Sequence, residues 1–212
     1  MSGSITLEAI DLAALLCSHV CHDLISPTGA IVNGLEVLDE AKDEETEKFA
    51  LELIKKSAAT ASARLQFCRI AFGAAGSAGA QIDLGDSEAL ARGFIEDGKT
   101  KLDWKLPRTL VPKTRVKLLL NMLVVAAHAI PRGGLLRVEP LGDGESMNFR
   151  IVATGLNARV PQAVRGLLAG APTEQSIDAH AVQPYYTGLL ARSCGLTVDI
   201  ATEGDMIVVT AR

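Results

Sequence analysis

The sequence predicts an α+β protein, a helical hairpin followed by a two-layer α/β sandwich, and two observations carry that reading. Residues 4–73 hold two apolar series with heptad spacing, and beyond a small-residue stretch at 73–80 the periodicity changes to short strands mixed with helices.

In the first series Ile10, Cys17, Leu24, Ile31 and Leu38 recur every seven residues, and Ala14, Cys21, Thr28 and Leu35 form a second set offset by four. Together they make a seam over about four heptads, the mark of a helix in a bundle. A second seam runs through Leu51, Ile54, Ala58, Ala61, Leu65, Cys68 and Phe72. The polar stretch 39–47 between them is short enough to join antiparallel helices. One such hairpin buries little, so two copies are expected to pair as a homodimeric four-helix bundle. The sequence thus divides at 1–75 and 76–212. Stretch 73–80 reads as a linker.

In the second part, 86–97 and 112–129 read as helices, the latter opened by Pro112, where a missing donor costs nothing. Runs 135–139, 147–153, 196–201 and 205–210 are β-branched or alternating and bounded by Gly and Asp, hence strands, with 101–106 a further candidate. Segments 160–168 and 182–194 read as helices, the second closed by Gly195. Trp104 sits in an alternating pattern that packs the sandwich.

Composition excludes several functions. Of 212 residues, 48% are hydrophobic and 22% charged, an ordinary globular balance. A net charge of −4 and 4% aromatics argue against nucleic-acid binding, which calls for a basic face and stacking platforms. The apolar run 118–130 is shorter than the roughly 20 residues a membrane span needs, so it reads as a buried helix. With no secretory signal at the N-terminus and four cysteines expected as thiols, a cytoplasmic protein with no membrane partner is expected.

The densest polar constellation is Cys17, His19, Cys21 and His22. On a helix the cysteines lie on the apolar seam, while His22 lies about 135° from its centre and His19 farther still. Zinc needs convergent ligands, so no metal site is expected and the cysteines read as core residues. Both histidines then face solvent; His19 reads as an ordinary surface residue. His22 differs by its context, His22-Asp23-Leu24-Ile25-Ser26-Pro27. A proline inside a helix costs about 3 kcal/mol, and Pro27 kinks the helix and frees the carbonyl of Asp23 one turn back. Such a cost beside an exposed imidazole points to function. A neutral imidazole is a nucleophile for phosphoryl groups. Asp23 is placed to orient it. Ser18, Ser26, Gly29 and Asn33 share its face, small or polar, with Ile25 and Val32 at the margin, so a partner protein has room to bind. His128 reads as a core or boundary residue, and His180 as a surface residue near a helix start.

His22-Asp23-x-x-Ser26-Pro27 resembles the H-box of bacterial histidine kinases, whose phosphorylated histidine sits on a dimeric four-helix bundle ahead of an ATP-binding α/β domain. The second part resembles that domain but departs from it where nucleotide should bind. The N-box counterpart Asn121-Met122-Leu123-Val124-Val125-Ala126 has Val125 in place of the magnesium-holding asparagine. The adenine motif is similar to Ala153-Thr154-Gly155-Leu156-Asn157, where Ala153 replaces an aspartate and Asn157 a glycine. The Gly-rich lid corresponds to Gln183-Pro184-Tyr185-Tyr186-Thr187-Gly188, and the stretch 173–178 reads as a loop left by that lid. Valine cannot ligate magnesium, and bulky residues block backbone approach to phosphates.

A kinase-shaped chain with its histidine but no nucleotide site resembles the ChpT histidine phosphotransferases of bacterial cell-cycle phosphorelays. That resemblance implies a homodimer that takes phosphate from the receiver of a hybrid histidine kinase (CckA-like) onto His22. It implies delivery to CtrA-like and CpdR-like response regulators, with no cofactor of its own and magnesium on the receiver. The alternatives are an active histidine kinase with a divergent ATP site and a non-catalytic dimeric scaffold for receivers.

Overall fold

In this computed structural model the described residues are 7–74, 79–142, 147–171 and 177–212. Two long helices, α1 (Ala9–Glu40) and α2 (Glu44–Ala71), form the hairpin. Asp43 caps α2, its Oδ1 accepting from the Thr46 amide at 2.8 Å, and Glu44, Glu45 and Glu47 complement the positive end of the helix dipole. The contact between the arms is narrow and built from small side chains. Pro27 and Gly34 of α1 are buried, facing a row of α2 that holds Ala50 and Ser57. A Cβ on Gly34 would lie 2.7 Å from Cγ1 of Ile54, so the arms approach where only glycine fits.

The predicted seams are therefore only half used within one chain. Leu24, Ile31, Ile54 and Cys68 turn inward, while Ile10, Cys17, Cys21, Leu35, Leu51 and Leu65 stay exposed. The physical reason is register. The arms meet through residues shifted to one side of the stripe, and the other side has no neighbour in this chain.

The hairpin leads into β1 (Gln81–Asp83), α3 (Leu84–Ile95), β2 (Thr100–Trp104), β3 (Leu110–Pro112) and α4 (Lys113–His128). Next come β4 (Gly134–Leu141), β5 (Asn148–Thr154), α5 (Val164–Ala169), α6 (Val182–Ser193), β6 (Val198–Glu203) and β7 (Met206–Ala211). The main sheet has the order β2-β4-β5-β7-β6, parallel only between β2 and β4; β1 and β3 form a small antiparallel pair of their own. That pair escaped the sequence reading because three-residue strands show no period. The other differences are shifts of a few residues at element ends, largest at α5, which starts at Val164 rather than 160. Pro112 stands at the N-cap of α4, one position before the helix proper.

Helix α4 is buried on nearly every side from Val116 to Ala126, which makes it the central layer between sheet and hairpin. It also closes the end of α2: Asn121 Nδ2 donates to the Ala71 carbonyl at 2.9 Å and Lys117 Nζ to that of Gly73 at 2.7 Å. Phe67 and Ala71 of α2 belong to the main core, where the Phe67 ring stacks on Phe94 of α3 at 3.9 Å. Trp104 packs at the edge of that core. A second cluster joins Leu167, Val182 and Tyr185 to Leu12, Leu15 and Leu16 of α1, and the Tyr185 hydroxyl accepts from the Leu7 amide at 3.4 Å. The hairpin is thus held to the α/β part at two places. The linker reading at 73–80 and the loop reading at 173–178 fall largely on positions outside the described residues.

Phe67→Ala is expected to lower stability by about 3–5 kcal/mol, since it empties a fully buried, stacked site. Urea unfolding followed by circular dichroism measures it.

Candidate phosphotransfer site

Helix α1 runs unbroken through Pro27, so the helix is not ended there. Proline at this position deprives the Asp23 carbonyl of its partner four residues on. Arg64 of α2 supplies the substitute: its Nη1 donates a hydrogen bond to the Asp23 oxygen. A buried carbonyl left bare would cost about 1–3 kcal/mol, so this arginine offsets the proline and fixes α2 against α1 one turn from His22.

His22 stands on the open face of α1 with 71% of its side chain exposed. Its Nδ1 lies 3.9 Å from Asp23 Oδ1, too far for a hydrogen bond. Ser18, Ile25, Ser26, Gly29, Val32 and Asn33 are all exposed with it along one side of the helix, and nothing lies within 4 Å of where a Cβ on Gly29 would be.

His19 departs from the expectation of a solvent-facing residue. Its side chain is only 12% exposed, because α6 and the turn before it cover that flank of α1. Its Nδ1 donates to the Ala179 carbonyl at 3.1 Å, its Nε2 faces Asp23 Oδ2 at 3.9 Å, and its ring meets Phe72 edge-on. Asp23 therefore lies between two imidazoles.

A cleft of about 460 Å³ opens here, lined by Ser18, His19, His22 and Asp23 of α1 with His128, Ala179 and His180. All four histidines of the chain line it. His128 enters from the last residue of α4; protein packed around its ring lowers its pKa, and the charge of His19 acts in the same direction. His180 stands edge-on to His22 with ring centroids 5.7 Å apart. Its turn is tied by Asp178, whose Oδ1 accepts from the amides of Ala181 at 2.8 Å and His180 at 2.9 Å. Those bonds, the Ala181 one foremost, hold the Asp178 carboxyl below its usual pKa. The sequence reading missed His128 and His180 as members of this cleft. They stand over 100 positions from His22 in the chain, and no periodicity announces the docking of α6 on α1.

Cys17 and Cys21 also differ from expectation. Within one chain they are not core residues but line a mainly apolar groove of about 540 Å³ with Leu16, Val20, Leu65 and Phe72. Cys68, deeper in the same groove, has its thiol pushed up to about 11 by burial and secondarily by Asp23. Among the described residues no group of three or more His, Cys, Asp and Glu side chains is arranged to hold a metal ion.

Of the positions that correspond to a nucleotide site, Val125 and Ala153 are sealed in the core, and Asn157 is exposed with φ 61°. The amide of Asn121 is committed to the carbonyls of Ala71 and Lys117. Gln183 Nε2 donates to the Asn121 carbonyl at 2.9 Å, so α6 packs on α4 directly. A Cβ on Gly188 would lie 2.1 Å from the Leu168 carbonyl oxygen, which draws α6 equally close to α5. This donor set does not fit a magnesium–nucleotide complex.

Hairpin, central helix and five-stranded sheet together define an α+β protein with His22 presented on α1. Comparison with known proteins narrows this. The family described as histidine phosphotransferase C-terminal domain matches residues 84–206. Protein phosphotransferase ChpT of Brucella abortus (strain 2308) is 52% identical over 211 residues, covering all of both chains. A solved bacterial phosphotransferase superposes with a TM-score of 0.88 at 49% identity, over 99% of each chain. A histidine kinase domain from Erythrobacter litoralis gives 0.45 at 18% identity, over 87% of this chain and 94% of that one. The chain belongs to the histidine phosphotransferase family that includes ChpT.

Arg64→Ala is expected to lose about 1–3 kcal/mol in Pro27-containing protein, and distinctly less in a Pro27→Ala background, where a restored amide meets the Asp23 carbonyl. A double-mutant cycle by denaturant unfolding reads the coupling. Thiol titration of the native chain near pH 8 is expected to leave Cys68 unmodified until the protein unfolds, since burial pushes its thiol up to about 11.

Proposed function

We propose that the chain carries phosphoryl groups between receiver domains, with His22 as the phosphorylated nucleophile. The observation that carries this is one well-exposed imidazole, set beside Asp23 on a rigid helix whose neighbouring side chains are small enough to admit another protein. Membership of a phosphotransferase family supplies the general activity; the residue, the direction and the partners are the proposal.

The geometry supports the following course for the reaction. A receiver lies along the face formed by Ser18, Ile25, Ser26, Gly29, Val32 and Asn33. Its aspartyl phosphate meets Nε2 of His22 in line. The P–O bond to the aspartate breaks and leaves a carboxylate as the P–N bond forms. The ring keeps its Nδ1 proton, and Asp23 balances the resulting positive charge. Delivery is the same exchange reversed with a second receiver. Positioning supplies most of the rate, and the receiver's own magnesium stabilises the charge spread over the phosphoryl oxygens.

The donor in this reading is the receiver of a CckA-like hybrid kinase, and the acceptors are CtrA-like and CpdR-like regulators of the cell cycle. Val125, Ala153 and the packing of α6 on α4 support a chain that takes no phosphate from ATP. The exposed half of the heptad stripe, with Ile10, Leu35, Leu51 and Leu65, supports a homodimeric four-helix bundle, since such a patch seeks a neighbour. Helix α1 is long and apolar enough to cross a membrane by length and composition. Its pairing with α2 and the His22–Asp23 cluster at mid-length favour a bundle helix in a cytoplasmic protein.

Incubation with a phosphorylated receiver is expected to put an acid-labile phosphate on the wild type and on His19→Ala but none on His22→Ala, while labelled ATP alone leaves the chain unlabelled. Labelling of His22→Ala, or autophosphorylation from ATP, contradicts the reading.

A further inference from the structure

The cleft beside His22 contains more than presentation requires. An exposed nucleophile needs only its helix, yet three further imidazoles from separate parts of the chain converge on it. One is already engaged: His19 gives its Nδ1 proton to the Ala179 carbonyl. His128 is exposed at the end of α4, and the protein around its ring disfavours charge there. His180 is exposed, its ring stands edge-on to His22, and its backbone is held by Asp178. The tie between Ala179 and His19 anchors that turn to α1 and so keeps the His180 backbone beside His22.

The geometry points to His180 as a positioning residue for the phosphoryl group on His22, donating a hydrogen bond to a phosphoryl oxygen as an imidazolium and taking up a proton when the phosphate arrives. This deepens the phosphotransfer reading and rests on it. A phosphoryl group on His22 brings close to two negative charges to the cleft. The groups facing His180 there are His22, His19 and Asp23 on α1, His128 on α4, and Asp178 in its own turn; Arg64 of α2 reaches the Asp23 carbonyl behind them. Asp23 and Asp178 are the acidic groups among them, and both are present before and after phosphorylation. The change in charge is therefore the phosphate itself, and the exposed His180 ring, edge-on to His22, is placed to meet it.

Linkage gives the sign. If phosphorylation raises the pKa of His180 by about one unit, the phosphohistidine is about tenfold more favoured with His180 charged than with it neutral. That advantage is complete below the pKa of the unphosphorylated state and is lost as pH rises through the higher value of the phosphorylated state. Phosphate would then rest on this chain at lower pH and move to the receiver at higher pH.

The test uses the full chain and a small donor, potassium phosphoramidate, which phosphorylates histidine without a partner. Imidazole resonances of the four histidines are followed by NMR from about pH 5.5 to 9, before and after phosphorylation. The expected result is phosphate on His22 and a rise of about one unit in the pKa of His180. In a second measurement, phosphate is equilibrated between the chain and a receiver as a function of pH. The roughly tenfold pH-dependent step is expected to vanish in His180→Ala, while His180→Lys holds the phosphate-favouring end at every pH. An unchanged His180 pKa with His22 phosphorylated overturns this proposal and leaves phosphotransfer standing. Phosphate landing on another histidine, with His22 bare, overturns both.

Discussion

The bond from Arg64 to the Asp23 carbonyl is the constraint on which the site depends. Pro27 takes a donor out of α1 at mid-length, and a helix so interrupted would bend or admit water. A cation on the facing helix restores the missing bond. The stretch from Ser18 to Asn33 is helical throughout. The proline then acts as a seam between helices: it obliges α1 to use α2, and so couples the orientation of His22 to the packing of the hairpin.

The same economy appears in the α/β part. Asn121 and Lys117 terminate α2 by accepting the role of C-terminal cap, and Gln183 bonds back to Asn121. These side chains fasten helices together. The α/β part covers one flank of α1 and contributes His128 and His180 to the cleft.

Much of the fold was legible in the chain. Heptads at 10–38 and 51–72 marked both arms of the hairpin, and β-branched runs marked strands β4 to β7 to within a few residues. The local signal around His22 was legible as well, since an exposed histidine, an adjacent acid and an internal proline lie within one turn and a half. Three things were not. Small residues such as Gly34 and Ser57, rather than the obvious leucines, set the register between the arms, because close approach selects for absence of bulk. The burial of His19 depends on α6, which lies over 160 positions away. The assembly of four histidines is a tertiary event, and single histidines scattered along a sequence carry no sign of where they will meet.

The central claim is that Nε2 of His22, beside the Asp23 carboxylate, receives the phosphoryl group. Phosphorus–nitrogen correlation NMR on chain charged by a phosphorylated receiver tests it most directly. The account predicts coupling of phosphorus to Nε2 of His22, with the proton retained at Nδ1. Coupling to Nδ1, or to a nitrogen of any other histidine, would contradict it.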